Sequence, residues 1–392
     1  MIINTADRLK NIREYYFSIK LQEVRKLASQ GFDVINMGIG SPDLPPSQST
    51  IDALCESASR PGVHGYQPYR GIAPLRAAMA AWYKRVYGVS LNPETEVLPL
   101  MGSKEGITHI SLAFLNPGDE ALIPELGYPT YAAVTQMVGA TPRYYPLKEG
   151  SWHPDFEKME KEDYSKAKIM WVNYPHMPTG ASSSKQLFES IVEFALKRRL
   201  LACHDNPYSL ILNDKPPISL LSVDRAKECC IELNSMSKSH NMAGWRIGWI
   251  NGSKEYLDEI LKVKSNFDSG MFYGLQMAAV KAFENDDEWH AGQNRIYAER
   301  KKAAMEFVDL LQCACDENQT GMFVWAKLPG HVRSVEKFVD YMLYEKHLFI
   351  TPGFIFGEAG RRYIRISLCN PAERILNAVE RIRDIDFGKL GL

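Results

Sequence analysis

The feature that most constrains the fold is a regular alternation of short apolar runs and helical stretches through the first 285 of the 392 residues. The runs 169–172 and 200–203 are apolar at every position, and a helix is predicted between them over 184–198. Strands without a polar face must be covered on both sides, which is typical of a mostly parallel sheet with helices on both faces. We therefore predict an α/β architecture for this part of the chain.

After about residue 285 the pattern changes. A long charged helix is predicted over 294–311, followed by strands around 322–325 and 363–367, which indicates a smaller α+β domain. The chain is long enough for a large domain and a smaller one. We expect residues 45–285 to form the large domain, 286–392 the small domain, and 1–44 an N-terminal segment that packs with the small domain.

Composition and charge argue against several classes of protein. The net charge is −1, so no basic excess points to nucleic acid or to an anionic membrane. No apolar run approaches the length of a membrane span, and the first ten residues lack the apolar core of a signal peptide. The seven cysteines form no Cys-x-x-Cys pair, so we expect no metal site and a reduced, cytoplasmic protein.

The stretch from Leu233 to Arg246 carries the clearest chemistry. An apolar run over 229–233 predicts a buried strand, and a loop follows in which Lys238 lies among serines. Small hydroxyls and a planar guanidinium suit a phosphate, and an amine beside them can form a Schiff base with a carbonyl. These are the requirements of pyridoxal phosphate. The alternative is a solvated loop lysine, which is the commoner state of a lysine taken alone.

Three motifs together resemble those of one enzyme family. Ser-x-Ser-Lys at 235–238, Gly-Trp-Arg-Ile-Gly at 244–248 and the segment 264–270 resemble the class I aminotransferases of fold type I, most closely the LL-diaminopimelate and alanine aminotransferase branch. Similar signals recur from about residue 15 to residue 370. The resemblance implies the fold-type I architecture of pyridoxal phosphate enzymes. It also implies a homodimer with active sites shared between subunits and a role in amino-acid biosynthesis.

The resemblance assigns roles around the cofactor ring. Lys238 would carry the cofactor on its amine and move the substrate proton, which requires a neutral amine and a lowered pKa. Asp205, at the end of a predicted strand, would pair with the pyridine nitrogen, although turn capping is a common alternative for Asp. Tyr208 would donate to the phenolic oxygen, and Tyr128 would stack on the ring.

A second group would hold the cofactor phosphate. The turn before a predicted helix at 103 offers backbone N–H groups to an anion, and the resemblance makes this turn the phosphate cup. The same resemblance brings Tyr66 to the phosphate of the neighbouring subunit, whereas on the residues alone Tyr66 is equally well an aromatic turn residue. The residues assigned to the phosphate are Gly102, Ser103, Lys104, Ser235, Ser237, Arg246 and Tyr66.

Substrate contacts are expected from Gly40 and Arg365. Arg365 alternates with apolar residues on a predicted strand. The resemblance implies that it binds the substrate α-carboxylate. The alternative is an arginine on the exposed face of a strand. One position departs from the family pattern: Met177 stands where the family has an Asn that donates to the phenolic oxygen. Asn173 or His176 are candidates to compensate, and the Met177–Pro178 bond is a candidate for cis geometry.

The leading interpretation is transfer of an amino group between an amino acid and a 2-oxo acid, with glutamate and 2-oxoglutarate as the usual pair. A C–S β-lyase would use the same residues, because the bond that breaks depends on its alignment with the cofactor ring. A cofactor-binding regulator without catalysis is the third interpretation, but no segment is spare for a DNA-reading module. The specific substrate stays open among LL-diaminopimelate, alanine and aromatic amino acids.

Overall fold

The computed structural model of the protein describes residues 3–10, 12, 14 and 16–385. None of the helices within these ranges is long and apolar enough to cross a membrane. The α-helices are α1 Tyr16–Ser29, α2 Gln48–Ala58, α3 Ala73–Tyr87, α4 Ser103–Phe114, α5 Thr130–Met137, α6 Phe156–Met159, α7 Lys185–Arg198, α8 Ala226–Cys229, α9 Met236–Ser239, α10 Lys254–Lys264, α11 Tyr273–Ala282, α12 Asp287–Leu310, α13 Val335–Lys346 and α14 Ala372–Ile382.

The strands form one large sheet and two smaller ones. The strands are β1 Ile35–Asn36, β2 Val97–Leu100, β3 Glu120–Pro124, β4 Thr141–Tyr145, β5 Ala167–Val172, β6 Leu201–Asp205, β7 Cys230–Ser235, β8 Gly248–Gly252, β9 Ala314–Cys315, β10 Phe323–Lys327, β11 Leu348–Phe349, β12 Thr351–Pro352 and β13 Tyr363–Ser367.

The large sheet has the strand order β2-β8-β7-β6-β5-β3-β4. Strand β8 is antiparallel to both of its neighbours, and all other adjacent pairs are parallel. Because β8 reverses direction between β2 and β7, the other six strands all end at the same edge of the sheet. The predicted mostly parallel sheet is confirmed, and side chains that follow these strands converge at one edge.

Both faces of the large sheet are covered, as its apolar strands require. Leu201 and Cys203 of β6 face a cluster that includes Ile107 of α4 and Leu257 of α10. Ala202 lies between them and faces the opposite cluster, which continues into the C-terminal part of the chain. Because side chains alternate along a strand, one short apolar run packs against helices on both faces of the sheet.

The smaller sheets lie in the C-terminal part of the chain. Strands β12, β13, β10 and β9 form an antiparallel sheet, and β1 near the N-terminus pairs in parallel with β11. The domain boundaries at residues 44 and 285 stay predictions, and the N-terminal and C-terminal units as predicted include positions outside the described residues.

Two local predictions need correction. Lys238 lies in the single helical turn α9 and not in a loop, because Ser235 caps that turn by accepting a hydrogen bond from the Ser237 N–H at 3.1 Å. The long helix α12 begins at residue 287 and not at 294. There the Asp286 carboxylate accepts a hydrogen bond from the Trp289 N–H at 2.9 Å, which satisfies a donor that the first turn leaves open.

Candidate functional site

A cavity of about 580 Å³ opens at the edge where the six parallel strands end, and helix α1 and strand β13 contribute to its walls. It contains all but two of the predicted site residues. The lining residues are Phe17, Ser18, Leu21, Arg25, Ile39, Gly40, Ser103, Lys104, Ile107, Tyr128, Tyr131, Asn173, Met177, Asp205, Pro207, Tyr208, Ser235, Ser237, Lys238, Ala243, Arg246, Phe323, Phe356 and Arg365.

Lys238 extends from α9 into this cavity. Its Nζ donates a hydrogen bond to the Gly40 carbonyl, which ties the sheet edge to the N-terminal segment. Burial lowers the pKa of Lys238 to about 8, and the nearby Arg365 and Arg246 guanidinium groups act in the same direction. A substantial fraction of this amine is therefore neutral at mildly alkaline pH, as a nucleophile or a proton acceptor requires.

Asp205 ends β6 beside Lys238. The Tyr131 hydroxyl donates to Asp205 Oδ2 at 2.9 Å, whereas Asp205 Oδ1 is buried and has no hydrogen-bond partner among the described residues. Burial raises the pKa of Asp205 to about 6. A buried carboxylate with one open oxygen is arranged to accept a hydrogen bond from a cation.

The aromatic side chains of the cavity have distinct settings. Tyr128 lies edge-on to Tyr131, with ring centroids 5.6 Å apart, and Tyr131 stacks in turn on Trp171 at 5.0 Å. Tyr208 lies edge-on to Phe323 at 5.9 Å. Burial raises the pKa of Tyr208, so its hydroxyl stays protonated and can donate.

An anion-binding corner forms where α4 begins. Gly102 has a φ of +89°, and a Cβ at this position would clash with the Arg246 guanidinium. The missing side chain at Gly102 therefore lets the guanidinium pack directly against the first turn of α4, which begins at Ser103 and Lys104. Arg246 Nη1 donates to the Ala243 carbonyl at 2.9 Å, which orients the guanidinium. Helix N-terminus and arginine together suit a phosphate.

Arg365 lies on β13 at the opposite end of the cavity. Only 4% of the residue is exposed, which excludes the alternative of an exposed strand arginine. Its Nη2 donates to the Gly38 carbonyl at 2.8 Å, and its Cζ lies 3.9 Å from the Phe323 ring centroid and 4.7 Å from that of Phe356. The rings hold the guanidinium in one plane, which suits bidentate binding of a carboxylate.

Met177 packs beside Arg365, with Sδ 3.3 Å from Nη1. Both residues that were candidates to compensate have hydrogen-bond partners in the chain. The Asn173 side chain donates to the Asp205 carbonyl at 2.6 Å and accepts from the Met177 N–H at 2.8 Å. His176 is paired with Thr179 through Nδ1 at 2.8 Å and does not line the cavity. The Met177–Pro178 bond is cis, as predicted.

Two predicted residues do not line the cavity. Gly102 lies immediately behind it, next to Ser103. Tyr66 is 91% exposed and lies outside the cavity of its own chain.

Sequence reasoning missed the hydrogen bond from Tyr131 to Asp205 and the packing of Phe17 and Phe356 around Arg365. The one available signal for Tyr131 was its position three residues after Tyr128, which was itself a predicted site residue.

Comparison with known proteins gives matches along nearly the whole chain. The family described as aminotransferase class I and II matches residues 33–382. The chain is 39% identical to LL-diaminopimelate aminotransferase of Dehalococcoides mccartyi strain 195, covering 96% of this chain and 97% of that protein. It is also 39% identical to the enzyme of that name from Aquifex aeolicus, covering 97% and 98%.

Solved structures show the same architecture. The apo structure of BacF from Bacillus subtilis superposes with a TM-score of 0.94 at 37% identity, covering 99% of this chain and 100% of that one. A probable N-succinyldiaminopimelate aminotransferase from Thermus thermophilus has a TM-score of 0.87 at 33% identity, covering 94% and 99%.

Proposed function

Because the chain belongs to the class I and II aminotransferase family, it transfers amino groups with pyridoxal phosphate as cofactor, and we propose LL-diaminopimelate as donor and 2-oxoglutarate as acceptor. The proposal of LL-diaminopimelate as donor rests on the similarity to several relatives named LL-diaminopimelate aminotransferase. Each is 36–39% identical over 96–98% of this chain. The fold-type I architecture, the transaminase activity and the cofactor inferred from the sequence motifs are confirmed by these matches.

The residues present fit pyridoxal phosphate. The open, buried Oδ1 of Asp205 matches the N–H of a protonated pyridine. Because Gly102 has no side chain, the Arg246 guanidinium packs against the start of α4, and arginine and helix N-terminus together suit a phosphate. The partly neutral amine of Lys238 matches an aldehyde. Ser235, Ser237 and Tyr128 line the same cavity, and we propose the two serines as further phosphate donors and Tyr128 as the stacking residue.

At the end of the cavity that would hold the cofactor ring, Asp205 and Lys238 have separate roles. Bound pyridoxal phosphate supplies the carbonyl that takes up the amino group and a cationic ring that withdraws electrons. Asp205 holds the proton on the pyridine nitrogen, and the hydrogen bond from Tyr131 fixes its carboxylate. The neutral Lys238 amine would accept the proton from the substrate Cα and deliver it to the cofactor carbon, and it would move the proton the opposite way in the second half-reaction.

At the substrate end, Arg365 binds the α-carboxylate. Its guanidinium is oriented by Gly38 and the phenylalanine rings, so little conformational entropy is lost on binding. Tyr208 would donate to the phenolic oxygen of the cofactor, and the backbone at Gly40, which lines the same cavity, would lie next to the substrate. Met177 contributes no donor at the position where the family has a carboxamide, and Asn173, which lines the same cavity, stays a candidate to compensate.

The test is a panel of amino donors with 2-oxoglutarate as acceptor. We expect LL-diaminopimelate to give the highest kcat/KM, with one glutamate formed for each donor consumed. A Lys238→Ala variant should show no turnover and no borohydride-fixed cofactor. Faster turnover of alanine or of an aromatic amino acid would contradict the proposed donor. Pyruvate release from cystathionine at a comparable rate would instead indicate a β-lyase.

We also propose a homodimer in which Tyr66 reaches the cofactor phosphate of the partner. Support comes from large apolar side chains that are exposed in the single chain, among them Tyr66, Tyr69, Met101, Phe267 and Phe272. Exposed apolar side chains of this size are often covered at a subunit interface.

Mixed dimers test this arrangement. A Tyr66→Ala chain mixed with a Lys238→Ala chain should regain activity, because one of the two sites then holds both native residues. Mixing that restores no activity, or a sedimentation coefficient of a monomer, would contradict it.

A cytoplasmic location is proposed as well. All seven cysteines are unpaired, and four of them, at 203, 229, 230 and 369, are buried. Unpaired thiols are typical of proteins in a reducing compartment.

A further inference from the structure

Helix α1 presents one face to the cavity. Phe17, Leu21 and Arg25 line it at intervals of four residues, and Ser18 lies beside them. Residues at this spacing lie one above another on the same side of a helix. The Phe17 ring lies at one end of this face, with its centroid 5.5 Å from the Arg365 guanidinium, and Arg25 lies at the other end.

Contacts outside this face fix the rotation of α1. Lys20 donates to Asp340 of α13 at 3.0 Å, and the Tyr344 hydroxyl of α13 donates to Glu23 at 2.6 Å. These contacts hold α1 against the C-terminal part of the chain. Arg25 therefore faces the cavity because the helix is held in this rotation.

Arg25 has no acidic partner in the cavity and no role in the proposed reaction. Its side chain forms no hydrogen bond or ion pair with any described residue, whereas Lys20 on the same helix has two acidic partners. Asp205 is the one acidic side chain that the described part of the chain contributes to the lining, and it is proposed to pair with the cofactor ring. An arginine at the mouth of a cationic cavity, with no acidic partner, is available to an anionic ligand.

The separation from Arg365 indicates the kind of anion. Eight residues of helix, from Phe17 to Arg25, span about 12 Å, and helical side chains lean back towards the N-terminus, here towards Arg365. A short diacid held at its α-carboxylate by Arg365 ends before it reaches this level of the helix. A chain of about seven carbons with a carboxylate at each end can meet both guanidinium groups.

We propose that Arg25 binds the distal carboxylate of a long dicarboxylic substrate and so determines specificity. This rests on the proposed function in one respect, since Arg365 must hold the α-carboxylate. It adds a recognition residue from the subunit's own helix α1.

The test uses the holoenzyme and unreactive acids. Pimelate carries two carboxylates on seven carbons, heptanoate carries one on the same chain length, and glutarate is a shorter diacid. Their dissociation constants can be measured from the change in absorbance of the bound cofactor and checked by calorimetry. We expect the native protein to bind pimelate about 10- to 100-fold more tightly than heptanoate, which is the effect of one charged hydrogen-bonded contact.

Arg25→Gln should remove this preference by weakening pimelate while changing heptanoate by less than about twofold. Arg25→Lys should retain part of it, because the charge stays and the bidentate geometry is lost. Lys26→Gln removes an adjacent exposed charge on the same helix and should leave both constants unchanged. Glutarate should respond less to Arg25→Gln than pimelate does.

Two results would overturn the proposal: a native protein with no preference for pimelate, or an Arg25→Gln variant that keeps the preference. Equal weakening of pimelate and heptanoate would also overturn it, because it would assign Arg25 to the packing of α1. The outcome is separable from that of the proposed function. If LL-diaminopimelate is no donor but the pimelate preference depends on Arg25, the donor is wrong and the distal site stands.

Discussion

The Tyr131 hydroxyl donates to Asp205 Oδ2 at 2.9 Å and leaves Oδ1 buried without a partner among the described residues. The two residues are 74 positions apart in the chain and meet because α5 crosses the edge where β6 ends. Stacking on Trp171 holds the Tyr131 ring, so the hydrogen bond fixes one carboxylate oxygen and presents the other. This relationship sets the electrostatics of the cofactor ring.

Asp205 makes the stability of the apoprotein depend on pH. Burial raises its pKa from 3.8 to about 6 in the folded state, so the folded chain binds this proton more tightly than the unfolded chain. The contribution to stability is fully present below about pH 4 and is lost as the pH rises through about 6. Asp205→Asn should therefore stabilise the apoprotein by up to about 3 kcal/mol at about pH 7.5 and by much less at about pH 4.

Urea unfolding of the native and variant apoproteins across this range gives the difference. Tyr131→Phe is the control, since loss of the donor should raise the pKa of Asp205 and enlarge the pH dependence. A native protein and an Asp205→Asn variant with parallel pH profiles would show that the carboxyl is not strongly desolvated.

Gly102→Ala should weaken cofactor binding through the phosphate. The residue has a φ of +89°, and the new methyl group would push against the Arg246 guanidinium. Gly62→Ala is a matched control, because Gly62 has a φ of +79° but no atom within 4 Å of the place where a Cβ would lie. Both should lose about 1 kcal/mol of folding stability from the backbone strain.

Gly102→Ala alone should raise the dissociation constant for pyridoxal phosphate, by about tenfold or more if one charged contact is lost. Fluorescence titration of the apoproteins measures it. Equal cofactor affinities in the two variants would refute the clash with Arg246.

Met177→Asn should lower the pKa of the absorbance transition of the bound cofactor. A carboxamide at this position can donate to the phenolic oxygen, which methionine cannot, and a better-solvated phenolate holds the nearby shared proton less tightly. Met177→Leu keeps the side chain apolar and serves as the control. The measurement is a spectrophotometric titration of each holoenzyme, and an Asn variant that titrates like the Leu variant would end the idea.

Lys264 and Asp268 form a buried ion pair at 2.8 Å, with side chains 4% and 2% exposed. Lys264→Met would leave the Asp268 carboxylate buried and uncompensated, at a cost of about 3–5 kcal/mol. The exposed pair Lys262–Glu259 is the comparison, and Lys262→Met should cost less than about 1 kcal/mol. Chemical denaturation of the three proteins at one pH distinguishes the two cases, and similar losses in both variants would show that burial does not matter here.

The order of elements was predictable because it depends on local pattern. The runs 169–172 and 200–203 lie within or beside β5 and β6, and 363–367 coincides with β13. The motif around Lys238 pointed correctly to the cofactor and to the family. The helical turn α9 was not predicted, because closely spaced serines usually indicate a loop. Here Ser235 instead caps a helical turn by accepting a hydrogen bond from the Ser237 N–H.

The sequence by itself determined the layered α/β architecture through its periodicity, and its motifs indicated the cofactor and, by their resemblance to one family, the reaction class. Only the tertiary structure determined the burial and hydrogen bonding of Asp205, the packing of phenylalanine rings around Arg365 and the direction in which Arg25 faces. Those depend on strand register and on helix rotation against distant partners, such as α1 held by Asp340 and Tyr344. Contacts between residues tens to hundreds of positions apart leave no periodic signal in the chain.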